Sequence, residues 1–200
     1  MKKNDIKAVI FDMGGVLYDW KKGWGETAKN LNRNYQDFID IVFKVAPSAE
    51  LGNMSLVDFF KKIGKEANLG DRWRKINTDI PYNFPKINES FKLLDELEGR
   101  YKLAILTNNP PQILDRWEKV AGYKKYFDLI IDSSEVKLRK PDPKIFQLVC
   151  DKLNLNPKNC LFIDDSSQHI SAAKKVGLNV IHFTDAKKGV AEVRSILGIS

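Results

Sequence analysis

Short apolar runs alternate with helix-periodic stretches along most of this chain, and that rhythm constrains the fold more than any other feature. The first run, Ala8-Val9-Ile10-Phe11 following Ile6, passes through Asp12 into Met13-Gly14-Gly15, a strand feeding a glycine turn. The next clear run, Leu103-Ala104-Ile105-Leu106, predicts a strand over 102–107, and further strands are predicted at 129–131, 160–163 and 180–183. Between them, Ile87, Phe91, Leu94 and Leu97 share one helix face, and Ile145, Phe146, Val149 and Leu153 share another. Ala172, Ala173 and Val176 belong to a later helix that Gly177 stops. Alternation of this kind predicts an α/β fold, a parallel sheet with helices on both faces.

Residues 18–84 break the rhythm. Tyr35, Phe38, Ile39, Val42 and Phe43 follow helical spacing, as do Leu56, Phe59, Phe60, Ile63 and Ala67, and no strand run appears. Ser55 is a plausible N-cap, Gly52 and Gly70 punctuate, and Pro81 and Pro85 are stiff hinge residues at the return. The expected division is an α/β core from 1–17 and 85–200, with an all-helical insert from 18–84.

Composition narrows the function classes. Two hundred residues suit one α/β core plus a small insert. The N-terminus runs into the first strand without an apolar stretch of signal-peptide length, and no window approaches the roughly 20 apolar residues of a membrane span. Cys150 and Cys160 lack metal-like spacing and read as small buried hydrophobes, so the expectation is a soluble cytoplasmic protein without a disulfide framework. The net charge of +7 invites a nucleic-acid reading. The lysines, however, are dispersed in doublets such as Lys21-Lys22 and Lys174-Lys175, without interleaved aromatics. They read as a solvated surface whose summed field attracts small anions. His169 and His182 are too few for a histidine-rich metal site.

The chemistry gathers where strands are expected to end. Open α/β sheets place ligands at the carboxyl edge, where a carboxylate without partners is costly. Asp12 stands at that edge after the first strand. Three later strands are expected to end in Thr107-Asn108, in Lys140-Pro141 and in Asp164-Asp165. Thr107 and Asn108 precede Pro110-Pro111 and a helix start, a ready anion cradle or else a simple Asx or Thr turn. Asp142 and Pro143 suit the N-cap and first position of a helix, which fixes Lys140 on a stiff approach. Two adjacent carboxylates at 164 and 165 repel unless a cation binds, and with Asp12 they make an oxygen-rich site suited to Mg²⁺. The alternative is that one of them caps the helix that follows, with Ser166 and Ser167 in the same cap.

These ordered motifs resemble the haloacid dehalogenase-like (HAD) superfamily of hydrolases, mostly magnesium-dependent phosphatases. The resemblance rests on Phe11-Asp12-x-Gly-Gly-Val-Leu, Leu106-Thr107-Asn108, Lys140-Pro141-Asp142-Pro143 and Phe162-Ile163-Asp164-Asp165-Ser166, followed by Ala172-Ala173 and Gly177. It implies a Rossmann-like core, a helical cap at the insert, and Asp12 as a nucleophile that forms an aspartyl-phosphate. It further implies phosphate binding by Thr107, Asn108 and Lys140. Mg²⁺ would be held by Asp12, the Gly14 carbonyl, Asp164 and Asp165, with Asp165 the more direct ligand.

One departure stands out. The family's phosphatases usually carry a second Asp two residues after the nucleophile, where this chain has Gly14. The carbonyl survives that change, but the proton donor for the leaving oxygen is lost, a group worth about 10²- to 10⁴-fold in rate. Tyr18, Asp19 and His169 are the candidates to replace it, and Trp20 and Trp24 either line the insert's inner face or pack its core. The expected substrate is a small phosphorylated metabolite, sugar phosphates first. The alternatives are a haloacid dehalogenase and a weakly active or non-catalytic binding or regulatory protein.

Overall fold

The computed structural model describes residues 5–76 and 83–199. Pro81, one of the two expected hinge prolines, lies outside the described residues. Five strands, β1 (Ala8–Phe11), β2 (Lys102–Thr107), β3 (Leu129–Asp132), β4 (Cys160–Asp164) and β5 (Asn179–His182), form one sheet in the order β3-β2-β1-β4-β5. Every pairing is parallel, with Phe11 opposite Ile105 on one side and Ile163 on the other. The central strands are buried on both faces, which explains their unbroken apolar runs.

Helices cover the two faces. On one side α4 (Asn88–Leu97), α5 (Ile113–Ala121) and α9 (Ala186–Leu197) pack Leu94, Trp117 and Val193 into a cluster with Val9, Phe11 and Ile105. On the other, α7 (Pro143–Leu153) and α8 (Ser167–Val176) bring Phe146 and Ala173 against Ala8, Ile10 and Phe162. Asp142 caps α7 with Pro143 at its start, and Gly177 ends α8 in the left-handed conformation at φ 102°. The face of α4 is rotated from the expected one: Leu93, Leu94 and Leu97 are buried, while Phe91 is half-buried and Ile87 becomes the N-cap.

Between β1 and β2 the described chain is helical: α1 (Trp20–Asn30), α2 (Tyr35–Glu50) and α3 (Leu56–Glu66). Ser55 caps α3 by accepting the Asp58 N–H, as its sequence position suggests. The apolar periodicity does not foretell α1, whose turns contain Gly23 and Gly25. Phe38, Val42, Phe59 and Phe60 join the same apolar cluster as one face of the sheet. Phe43, on the same stretch, is 53% exposed.

A single correction concerns the strand ends. Asp12 follows β1, Thr107 closes β2 and Asp164 closes β4, but Lys140 does not end a strand. Strand β3 ends at Asp132 and runs directly into a single turn, α6 (Ser133–Val136). Lys140 follows in the loop before α7, so a connection, not a strand, delivers it. The strands diverge at β1, with β2 and β3 on one side and β4 and β5 on the other. This is a switch point, where α/β sheets open a crevice beyond their carboxyl ends.

Candidate active site

Asp12 lies in that crevice, only 7% exposed. Its Oδ1 accepts the Met13 N–H at 2.7 Å and the Lys140 ammonium at 2.9 Å. Among the described residues, Oδ2 has no hydrogen-bond donor. Lys140 is wholly buried, and its Nζ also donates to Asp164 Oδ2 at 2.7 Å. Burial opposes a charged lysine, but Asp12 and Asp164 outweigh it and hold the pKa above the ordinary range.

The Lys140 backbone is clamped as well. Asn108 Nδ2 donates to the Lys140 carbonyl and Asn108 Oδ1 accepts the Lys140 N–H, both at 2.9 Å. The Asn108 side chain is therefore engaged in positioning the lysine, which leaves its backbone N–H as the group for the expected anion cradle. Thr107 is buried, and its Oγ1 accepts from Asn109 Nδ2 at 2.8 Å, leaving its own O–H to donate.

The paired carboxylates divide their tasks. Asp164 is fully buried and accepts from Lys140, from the Ser166 N–H at 2.8 Å and from His169 Nδ1 at 3.0 Å. Burial pushes its pKa up, yet Lys140 and His169 prevail and hold it well below the carboxylate range. Neither carboxylate caps α8: Ser166 is its N-cap, and Asp164 accepts the N–H of that residue in the turn before the helix. Asp165 Oδ2 instead accepts the indole N–H of Trp20 at 2.9 Å, and burial raises its pKa. Asp12 is raised too, by burial foremost and then by Asp164 and Asp165 against the pull of Lys140.

Three carboxylates around one ammonium leave the crevice negative, a donor set of hard oxygens that suits a divalent cation. The turn between Asp12 and Asp165 is built for close approach. Gly15 has φ +74°, and a Cβ there would fall 2.2 Å from Asp165 Oδ2. Of the four groups expected from the sequence to hold Mg²⁺, Asp12, Gly14 and Asp165 border one cavity, and Asp164 lies buried with its oxygens engaged by Lys140, Ser166 and His169. His169, expected from the sequence only as a candidate proton donor, lies with Asp12 and Asp164 in a cluster whose ligand atoms are all within 4.8 Å. Mg²⁺ favours oxygen over imidazole nitrogen, which speaks for the carboxylates over His169 as its donors.

A cavity of about 520 Å³ opens over Asp12, bordered by Gly14, Thr107, Asn108 and Asp165 at its floor. Trp20 and Trp24 both line it, so the two aromatics face the crevice while also joining the insert's packing. Of the three candidates for a replacement proton donor, only His169 borders this cavity. Asp19 is occupied in capping α1. Tyr18 is 2% exposed and stacks on Trp117 with ring centroids 5.3 Å apart. Its hydroxyl lacks a partner among the described residues, and burial pushes its pKa above the ordinary tyrosine range. Arg139, a cationic neighbour that competes with Lys140 in the sequence, instead pairs with Glu50 of α2 at 2.7 Å in the cavity wall. Only the neighbouring Lys140 matched a motif.

Comparison with known proteins places these observations. The sequence profile of a family described as haloacid dehalogenase-like hydrolase matches residues 6–177. A phosphorylated carbohydrates phosphatase of Thermotoga maritima is 27% identical over 96% of this chain and 93% of its own. A sesquiterpene phosphatase of Aspergillus oryzae is 25% identical over 96% and 97%. A HAD-family enzyme of Bacteroides thetaiotaomicron, crystallised with magnesium and inorganic phosphate, shares the fold at TM-score 0.68 and 24% identity, covering 88% of this chain and 93% of its own. A dehalogenase with an intermediate complex also shares it, at TM-score 0.74 and 18% identity over 98% and 99%. Among the described residues, no helix is long and apolar enough to cross a membrane.

Proposed function

The chain belongs to the haloacid dehalogenase-like hydrolase family, and from that premise we propose that it is a Mg²⁺-dependent phosphatase of small phosphorylated metabolites. The observation that carries the reading is the asymmetry of Asp12: Met13 and Lys140 fix one carboxylate oxygen while the other faces no donor among the described residues. A carboxylate held this way is oriented for attack by its free oxygen.

Oδ2 of Asp12 attacks phosphorus as the P–O bond to the alcohol breaks, giving an aspartyl-phosphate and an alcohol oxyanion that takes its proton from water. Thr107 Oγ1 and the Asn108 N–H donate to the phosphoryl oxygens, and Lys140 balances charge on Asp12 as it changes between carboxylate and acyl phosphate. Water then hydrolyses the acyl phosphate and regenerates Asp12. Asp12, the Gly14 carbonyl, Asp164 and Asp165 would hold Mg²⁺, which supplies further positive charge opposite the phosphoryl oxygens. The helices of residues 18–84 act as the cap over the crevice, and the buried pair of free thiols accords with a cytoplasmic setting. Sugar phosphates are the first substrates expected from sequence, and the relatives named above span carbohydrate and terpenoid esters.

A dehalogenase needs no metal, and the carboxylates around Lys140 would then be a liability, so the phosphatase reading is preferred. The test is phosphate release from a panel of phosphorylated metabolites, with Mg²⁺ and with EDTA, for the parent and for Asp12→Asn. Turnover should require Mg²⁺ and fall to background in the variant. Undiminished turnover in chelator, or more than roughly a few per cent retained by Asp12→Asn, would reject it.

A further inference from the structure

The wall of the cavity is unlike its floor. Above the cluster of Asp12, Thr107 and Asp165, the lining is made by Trp24, Phe43, Leu56, Phe59, Phe84 and Trp117, drawn from α1, α2, α3, α5 and the segment before α4. Most of these side chains are fixed: Trp24 meets Phe84 edge-on at 5.5 Å between centroids, and Phe84 lies 5.8 Å from Trp117. At the rim Phe43, 53% exposed, stands edge-on to Trp20 at 5.4 Å. Trp20 covers only part of this large aromatic side chain, and more than half of it stays uncovered beside the cavity.

Lys21, Ser166 and Gln168 also border the cavity, but several other polar groups of its wall are already engaged. Arg139 and Glu50 pair with each other at 2.7 Å, Asn109 donates to Thr107, and His169 is held by Asp164. A polyhydroxylated alcohol placed here would exchange water for aromatic faces, and each hydroxyl left without a partner costs roughly ten- to a hundredfold in affinity. A volume of about 520 Å³ lies within the range of pockets that enclose ligands larger than one sugar ring.

We propose that the cavity over Asp12 selects phosphate monoesters whose alcohol portion is a large apolar body, such as a fused aromatic ring system, over those of sugars. This deepens the phosphatase reading and rests on it, since the phosphate is taken to sit on Asp12. The floor grips the phosphate common to all substrates, and the aromatic wall recognises what it is attached to.

The test separates body from leaving group. Asp12→Asn, which should not turn over, is titrated calorimetrically in Mg²⁺ with 2-(1-naphthyl)ethyl phosphate, glucose 6-phosphate and glucose 1-phosphate. The naphthyl ester and glucose 6-phosphate both carry a primary alkyl oxygen, so a difference between them belongs to the body. The naphthyl ester should bind at least about 100-fold more tightly than either sugar phosphate. Phe43→Ser should weaken the naphthyl ester about three- to tenfold, with an unfolding midpoint close to the parent's because Phe43 is exposed. Equal or tighter binding of the sugar phosphates overturns the proposal, as does naphthyl binding indifferent to Phe43→Ser. Phosphate release by the parent from the same esters is read separately. If none is hydrolysed while the naphthyl preference holds, the phosphatase reading fails and the selectivity of the cavity stands.

Discussion

Replacing Lys140 by methionine isolates the electrostatic centre of the fold. Methionine keeps much of the apolar stem, so the change is chiefly the loss of one ammonium that is 0% exposed and lies 2.9 Å from Asp12 and 2.7 Å from Asp164. Removing one partner of a buried ion pair costs about 3–5 kcal/mol, because the other charge is left uncompensated. Here two carboxylates lose the same partner, which places Lys140→Met at the upper end, a large part of the roughly 5–15 kcal/mol that holds a domain folded. At 2–4 °C per kcal/mol for a chain of this size, the melting temperature should fall by about 10–20 °C. Thermal unfolding followed by circular dichroism in EDTA at neutral pH measures this. Adding Asp164→Asn to Lys140→Met should restore part of the loss, since one orphaned charge disappears and contacting residues are not additive. A fall of less than about 3 °C, or a double variant equal to the sum of the singles, would refute the reasoning that Lys140 compensates these carboxylates.

Two further outcomes follow from local geometry. Gly14 does not have positive φ, and a Cβ there would meet Trp20 Cδ1 at 3.4 Å, so Gly14→Asp is sterically admissible. It should raise turnover of alkyl phosphates by up to roughly 100-fold, and of aryl phosphates much less; equal gains for both would mean that another residue already protonates the leaving oxygen. Asp132, 3% exposed, has its pKa raised by burial from 3.8 to about 6 despite donors from Ser134. The folded state therefore binds the proton more tightly than the unfolded chain, and stability falls as pH rises from about 4 to 6. Asp132→Asn should remove that slope. It should exceed the parent by up to about 3 kcal/mol at pH 7 in urea unfolding and converge with it near pH 4. Parallel stability curves across that window would show that Asp132 carries no such cost.

What the sequence determined by itself is the part governed by neighbours along the chain. Unbroken apolar runs around Ile10, Ile105 and Phe162 specify strands buried on both faces, and helix-period stretches between them specify parallel crossovers. Asp142-Pro143, Ser55 and Gly177 set helix ends through local backbone chemistry, and each does so where its position indicates. Asp12, Thr107 and Asp164 were legible as an edge cluster because parallel strands must end on the same side. Tertiary structure alone decided what those groups touch. Lys140 reaches Asp12 from a loop rather than a strand, and the Asn108 side chain is engaged by the Lys140 backbone. Trp20 bonds Asp165 across 145 residues, and Arg139 meets Glu50 across 89. The helix α1 rests on tertiary burial of Trp24, Thr27 and Ala28, since its glycines weaken local propensity. The aromatic wall likewise draws on elements far apart in the chain, and no periodicity records which helix faces will meet. Local propensity fixes where a side chain leaves the backbone, whereas burial and charge pairing between distant segments determine its partners.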